Sequence, residues 1–282
     1  MEKSQAKLNI LKKIEEYEKL GKWDVDVEED PKSIELLPNK IDYLNKKLSS
    51  KIATFFANRL GQNFFEKMLK NKQMIIKEVR GIENFIAVKD RGVIITCNHF
   101  NVCDNYAVWR AIRPYVGKKE RLYKVIKEGN YTNSPPPFGI ILRHCNTLPL
   151  SSNRDTMKKF IVAINTLLKR GEKILIYPEQ AMWWNYKKPR PFKNGAFRFA
   201  VSNNVPVLPF FITMEDSDVL DPDGFFVQSY TVHILPAIYP QENLTKNENL
   251  DYLKDQNFML WKQTYERFYN KKLEYTSKTD NK

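Results

Sequence analysis

The sequence predicts an α/β fold, with a mostly parallel central sheet covered by helices and preceded by a helical N-terminal extension. Three observations carry this. From residue 92 onward, short apolar runs of strand length recur. Segments with helical spacing of apolar residues separate these runs, the alternation that a parallel sheet requires. No internal repeat and no interdomain linker interrupts the pattern.

Taken in order, residues 1–50 are charged and helix-prone, with apolar positions at Leu8, Ile10, Leu11, Ile14, Tyr17 and Leu20. The acidic stretch 24–31 is expected to be an extended connector. In 51–70, Ile52, Phe55, Phe56, Leu60, Phe64, Phe65, Met68 and Leu69 recur at helical spacing among Lys51, Arg59, Lys67 and Lys70. Such a helix fits either packing on the core or lying in a membrane surface. The expected division is an extension at 1–74 and a main domain at 75–282. Strands are predicted at 92–97, 122–126, 173–177, 205–212 and 230–235. Helices are predicted at 104–112, 156–170, 196–203 and 250–270.

Composition narrows the function. Of 282 residues, 42% are hydrophobic and only 25 are Gly or Pro (10 and 15), which excludes a disordered or collagen-like chain. Three cysteines, Cys97, Cys103 and Cys145, show no CxxC pairing, and with three histidines they make no zinc framework. A reducing, intracellular setting is expected, without a signal-peptide run or a membrane span. The net charge of +13 favours an anionic partner. Nucleic acid is disfavoured, because no recognition helix, RNP-like strand or finger spacing is present.

The most informative stretch is IITCNHFNVCDNYAVWRAI (94–112). An apolar strand ends, and Asn98, His99 and Asp104 follow as helical character begins. Ligands of open α/β sheets sit outside the carboxyl ends of the strands. Along a continuous helix, residues five apart diverge by about 140°. With His99 in the turn and Asp104 in the first helical turn, the carboxylate folds back onto the ring and fixes its tautomer. The other ring nitrogen is then free to accept a proton. Two bland alternatives remain: a structural His with an Asp near the helix cap, and a Cys103–His99 nucleophile. On the same rim, LIYPEQ (175–180) ends a second strand at Glu179, and Arg190, Lys193 and Gly195 lie just before a helix, a setting suited to an anion.

Four ordered blocks resemble the glycerolipid acyltransferases, most of all the 1-acyl-glycerol-3-phosphate (lysophosphatidic acid) type. They are Asn98-His99 with Asp104, Tyr177-Pro178-Glu179, Phe192-Lys193 with Gly195-Ala196-Phe197, and Val205-Pro206-Val207-Leu208-Pro209. The resemblance covers about residues 75–240. It implies transfer of a fatty acyl chain from acyl-CoA or acyl-carrier protein to a lysophospholipid hydroxyl, with His99 as general base oriented by Asp104. Glu179 would hold the acceptor headgroup and Lys193 would neutralise an anion, with Asn98 and Gly195 completing the substrate-binding set. No cofactor or metal is implied. Gln180, Ala181 and Met182 stand where the family has Gly-Thr-Arg, so an arginine for the acceptor phosphate is missing. Arg190 is a replacement, and Arg143 and Arg154 are the arginines nearest the family's second block.

The aromatic and basic run 183–188 fits a loop packed on the core or a membrane contact. The basic stretch 117–127 fits a solvated face or a contact with anionic lipid or carrier protein. Residues 129–139 read as a loop or a lid, and His144 and His233 as structural. The expected setting is peripheral, on the cytoplasmic face of the cell membrane. Alternatives are another lipid or glycolipid hydroxyl as acceptor, or thioester hydrolysis.

Overall fold

The computed structural model describes residues 2–117 and 120–277. Its elements follow in chain order: α1 (Gln5–Lys19), α2 (Leu48–Lys70), β1 (Ile75–Arg80), α3 (Ile82–Ile86), β2 (Val93–Thr96), α4 (Asp104–Ile112), β3 (Leu122–Ile126), α5 (Glu128–Thr132), α6 (Phe138–His144), β4 (Thr147–Pro149), α7 (Arg154–Lys169), β5 (Lys173–Ile176), α8 (Gly195–Asn203), β6 (Val207–Leu220), β7 (Phe226–Ile234) and α9 (Lys246–Tyr269).

Among the described residues one seven-stranded sheet runs in the order β1-β7-β6-β2-β5-β3-β4. All neighbouring pairs are parallel except β6 and β7, which form an antiparallel hairpin. The expected mostly parallel sheet covered by helices is therefore observed, with an antiparallel excursion toward one edge. The sheet is covered on both faces because its central strands β2 and β5 are buried at every position and apolar at all but Thr96 and Lys173. Val93, Ile95, Leu175, Leu208 and Phe210 point to the side covered by α2, α3 and α4, where Phe65, Phe85, Tyr106 and Ala107 pack. Ile94, Ile174, Ile176 and Val207 point the other way, against Phe160 and Ile164 of α7, Phe197 of α8 and Leu253 of α9. Burying an aliphatic or aromatic side chain of this size contributes about 1.5–3 kcal/mol. The alternation along β2 thus welds both helical layers to one strand.

Local chemistry sets several boundaries. Asn153 caps α7 by accepting from the N–H groups of Asp155 and Thr156, and Thr245 and Glu248 form a reciprocal capping box that opens α9. The extension is not separate from the domain. Phe65 of α2 and Met74 join the core beneath α4, and Tyr43 joins the one beneath α7. The segment 129–139 contains α5 and the start of α6 rather than a bare loop.

Candidate active site

β2 ends at Thr96, and the chain leaves the sheet without losing its anchor. The Asn98 side chain accepts from the Ile212 N–H at 2.8 Å and donates to the Ile212 carbonyl at 2.9 Å, clamping the turn to β6. Both polar ends of the amide are thereby used, and Asn98 is buried. Asn98, expected among the substrate-binding residues, has both ends of its amide engaged by β6.

Asp104 opens α4 and folds back over the turn, as the spacing predicts. Its Oδ2 accepts from the backbone N–H groups of Phe100 (3.0 Å) and Asn101 (3.2 Å) and lies 2.8 Å from His99 Nδ1. A carboxylate can only accept, so Nδ1 carries the proton and Nε2 is left as the acceptor. The Asp104 side chain is fully buried, whereas His99 keeps 21% of its side chain exposed. An oriented, accessible imidazole with a buried carboxylate behind it has the geometry of a general base.

Tyr177, at the end of β5, completes this group. Its ring stacks on the His99 imidazole, with centroids 3.9 Å apart and planes 18° from parallel, and its hydroxyl donates to Asp104 Oδ1. Burial, reinforced by the Asp104 charge, pushes the Tyr177 phenol well above its usual range and keeps it a donor. Tyr177 belongs to the Tyr177-Pro178-Glu179 block, but its sequence position alone assigns it no role. The only signal was a hydroxyl-bearing ring directly before Pro178-Glu179.

Glu179 and Arg190 are brought together, but turned inward. The Glu179 carboxylate accepts from the backbone N–H groups of His99 (3.1 Å) and Arg190 (2.8 Å) and pairs with the Arg190 guanidinium at 2.9 Å. The guanidinium also donates to the carbonyls of Trp23 and Ala181 and stacks on Trp183. With 1% of the Arg190 side chain and 2% of the Glu179 side chain exposed, this pair ties the β2 turn to the loop after β5. Both side chains, expected at the acceptor headgroup, are buried in this pair rather than open to solvent. A buried, paired charge must also have its remaining hydrogen-bonding groups satisfied, and here the carbonyls do so.

Lys193 does reach the surface, where it pairs with Asp24 at 2.6 Å. Gly195 is exposed and is the first residue of α8, with open space where a Cβ would stand, so it is a helix start rather than a turn that demands glycine. Arg143 donates to the carbonyls of Tyr131 and Ser134. Arg154 is exposed at the start of α7, after β4. Since β4 lies three strands from β2, or about 14 Å at the usual strand spacing, neither arginine joins His99.

Burial pushes the Cys103 thiol up to about 12, so the thiolate needed for a Cys–His nucleophile does not form at neutral pH. In the run 183–188, Trp183 is fully buried between Trp23, Tyr17 and Tyr186, and Trp184 is buried too, so both pack on the core. In the basic stretch 117–127, Lys118 and Lys119 lie outside the described residues. His233 packs inside the sheet and hydrogen-bonds Thr213 at 2.9 Å. Among the described residues, no group of three or more His, Cys, Asp or Glu could hold a metal ion. Likewise no helix of the described residues is long and apolar enough to cross a membrane.

Comparison with known proteins agrees with this layout. Residues 76–213 match the family described as Acyltransferase, a span that runs from β1 into β6 and includes His99, Asp104 and Glu179. None of the curated proteins compared with the chain matches it. Among solved structures, the 1-acyl-sn-glycerophosphate (LPA) acyltransferase PlsC from Thermotoga maritima has a similar fold. It superposes with a TM-score of 0.53 at 20% identity, covering 82% of this chain and 87% of that chain. With its ordered sequence blocks, its match to the Acyltransferase family over residues 76–213 and this shared fold, the chain is similar to the glycerolipid acyltransferases.

Proposed function

We propose that the protein transfers a fatty acyl chain from acyl-CoA or acyl-carrier protein to the free hydroxyl of a lysophospholipid, with 1-acyl-glycerol-3-phosphate as acceptor and phosphatidic acid as product. One observation carries the reading: the 2.8 Å contact between His99 Nδ1 and the buried Asp104 carboxylate, which leaves Nε2 to accept a proton. In the reaction, Nε2 takes the acceptor's hydroxyl proton as the oxygen attacks the thioester carbonyl. Asp104 stabilises the imidazolium. The tetrahedral oxyanion then collapses, the C–S bond breaks, and the thiolate leaves with the proton from His99. A thioester is already activated, so the chemistry needs no covalent enzyme intermediate.

A second acceptor class is favoured by one specific observation. Arg190 is buried against Glu179, and Lys193 is already paired with Asp24. A neutral lysoglycolipid hydroxyl would need neither cation.

The reading includes docking on an anionic lipid surface through α2. Ile52, Phe55, Phe56, Leu60 and Phe64 are all exposed, although Ala57, Gly61 and Phe65 of the same helix are buried. Lys51, Arg59, Lys67 and Lys70 accompany this apolar row. Large apolar side chains with cations among them match the boundary between acyl chains and anionic headgroups.

The test is transfer from radiolabelled palmitoyl-CoA to lysophosphatidic acid, to a neutral lysoglycolipid and to no acceptor, each with wild type and His99→Ala. Phosphatidic acid formed by wild type and reduced about 10²–10⁴-fold in His99→Ala supports the reading. Acylation of the neutral lipid alone selects the second acceptor class. Free palmitate in every lane, or full activity in folded His99→Ala, overturns it.

A further inference from the structure

We infer that Tyr177 is a positioning residue for the general base, holding the Asp104 carboxylate and the His99 imidazole in one fixed arrangement. The inference rests on the acyl-transfer reading for its kinetic consequence, though not for its geometry.

The argument starts from the carboxylate. Asp104 Oδ2 receives three donors, the N–H groups of Phe100 and Asn101 and the His99 ring. Oδ1 receives the Tyr177 hydroxyl. Rotation about the last bond of the carboxylate would turn Oδ2 away from the imidazole, and with Oδ1 unengaged only the donors on Oδ2 would oppose it. The phenol closes that freedom. It also spreads the negative charge over a fourth donor, which weakens the pull of Oδ2 on the Nδ1 proton.

The ring of the same side chain constrains the other partner. Stacked on the imidazole at 3.9 Å, it leaves His99 one plane in which to lie, and that plane keeps Nδ1 on Asp104. Tyr177 is therefore tied to both members of the pair through two different groups. The position follows from the fold: β5 is the parallel neighbour of β2, so the residue after β5 stands beside the turn after β2. The next two residues lead to Glu179, which accepts the His99 N–H and fixes the backbone of the same turn.

Tyr177→Phe separates the two roles, because it keeps the ring and removes the hydroxyl. The chain contains only three histidines, so ¹⁵N-histidine labelling with His99→Ala as the assignment control isolates the His99 Nδ1 proton by NMR. In Tyr177→Phe, the freed carboxylate draws that proton more strongly, and its resonance moves further downfield while the melting curve stays cooperative. In the transfer assay, kcat falls about tenfold with both KM values within about twofold, because orientation is lost and substrate contacts are not. Placed on an Asp104→Asn background, Tyr177→Phe changes kcat by less than about twofold, since the hydroxyl acts through Asp104.

An unmoved His99 proton in folded Tyr177→Phe overturns the inference, whatever the activity. So does a rate loss that adds in full to that of Asp104→Asn. If the proton moves but the wild type acylates no acceptor, the positioning stands and the acyl-transfer reading fails instead.

Discussion

Asp24 and Lys193 form an ion pair at 2.6 Å across 169 positions of sequence, with 45% and 49% of their side chains exposed. The acidic stretch expected to be an extended connector thus pairs with Lys193, a basic side chain of the candidate site that reaches solvent. Neighbouring contacts hold the stretch in place: the Trp183 indole donates to the Val25 carbonyl at 2.9 Å, and Lys127 pairs with Asp26 and Asp30.

Releasing Lys193 should therefore favour an anionic acceptor. Asp24→Asn is expected to lower KM for lysophosphatidic acid by up to about fivefold, the scale of an exposed ion pair, and to leave KM for a neutral acceptor unchanged. Steady-state kinetics with the two acceptors side by side check this. Equal effects on both would show that Lys193 meets neither headgroup.

Arg190 is predicted to matter for folding more than for affinity. Arg190→Ala leaves the Glu179 carboxylate buried without its countercharge, which costs about 3–5 kcal/mol. Urea unfolding of the variant should show that loss. An Arg190→Ala protein as stable as wild type, with raised KM for lysophosphatidic acid, would assign the arginine to the acceptor after all.

The exposed row on α2 makes a prediction about membranes. Phe55 and Phe56 are 65% and 63% exposed, so replacing both by Ser should leave the unfolding free energy from urea titration nearly unchanged, within about 0.5 kcal/mol. Co-sedimentation with phosphatidylglycerol-containing vesicles should fall at least about tenfold, since two large apolar side chains no longer enter the bilayer. Raised salt should weaken wild-type binding by screening the lysines. Undiminished sedimentation of the double variant would remove α2 from the docking surface.

His233 gives the fold a pH dependence. Burial, with Arg80 alongside, pushes its pKa down from an ordinary 6.5 to about 4. The unfolded chain takes up a proton near the ordinary value, whereas the folded chain resists until the lower one. Stability from this residue is thus present at neutral pH and is lost as the pH falls between those two values, by up to about 3 kcal/mol. Urea midpoints at pH 7 and pH 4.5 measure the loss. His233→Gln should flatten the difference, and an unchanged slope would count against the assignment.

Much of the architecture was legible because the relevant interactions are local or periodic. The runs at β2, β3, β5 and β6 stand out since the two central ones, β2 and β5, are buried on both faces and so are apolar at all but one position each, Thr96 and Lys173. The start of α4 was legible for a related reason. A His in a strand-end turn and an Asp in the next helical turn are set opposite each other by backbone geometry alone, and the structure brings them to 2.8 Å. By contrast, β1 is an edge strand with a mostly exposed IIKEVR sequence, and β4 has three residues. Neither carries enough apolar signal to separate it from a loop.

What only the tertiary structure decided is the direction in which the charged and aromatic side chains point. Glu179, Arg190 and Trp183 carry the residue types of a binding rim, and sequence spacing offers no reason to turn them inward. Arg190 and Trp183 turn inward because the carbonyls of Trp23 and Val25, more than 150 positions away, supply acceptors for the guanidinium and the indole, and Glu179 follows its Arg190 partner and the His99 N–H. Tyr177 meets Asp104 only because β5 pairs with β2. The sequence by itself determined the layered α/β fold and the His99–Asp104 pair, since both follow from periodicity and short-range geometry. Long-range pairing determined which polar groups are sealed and which stay exposed, because a side chain's exposure depends on neighbours that the local sequence does not contain.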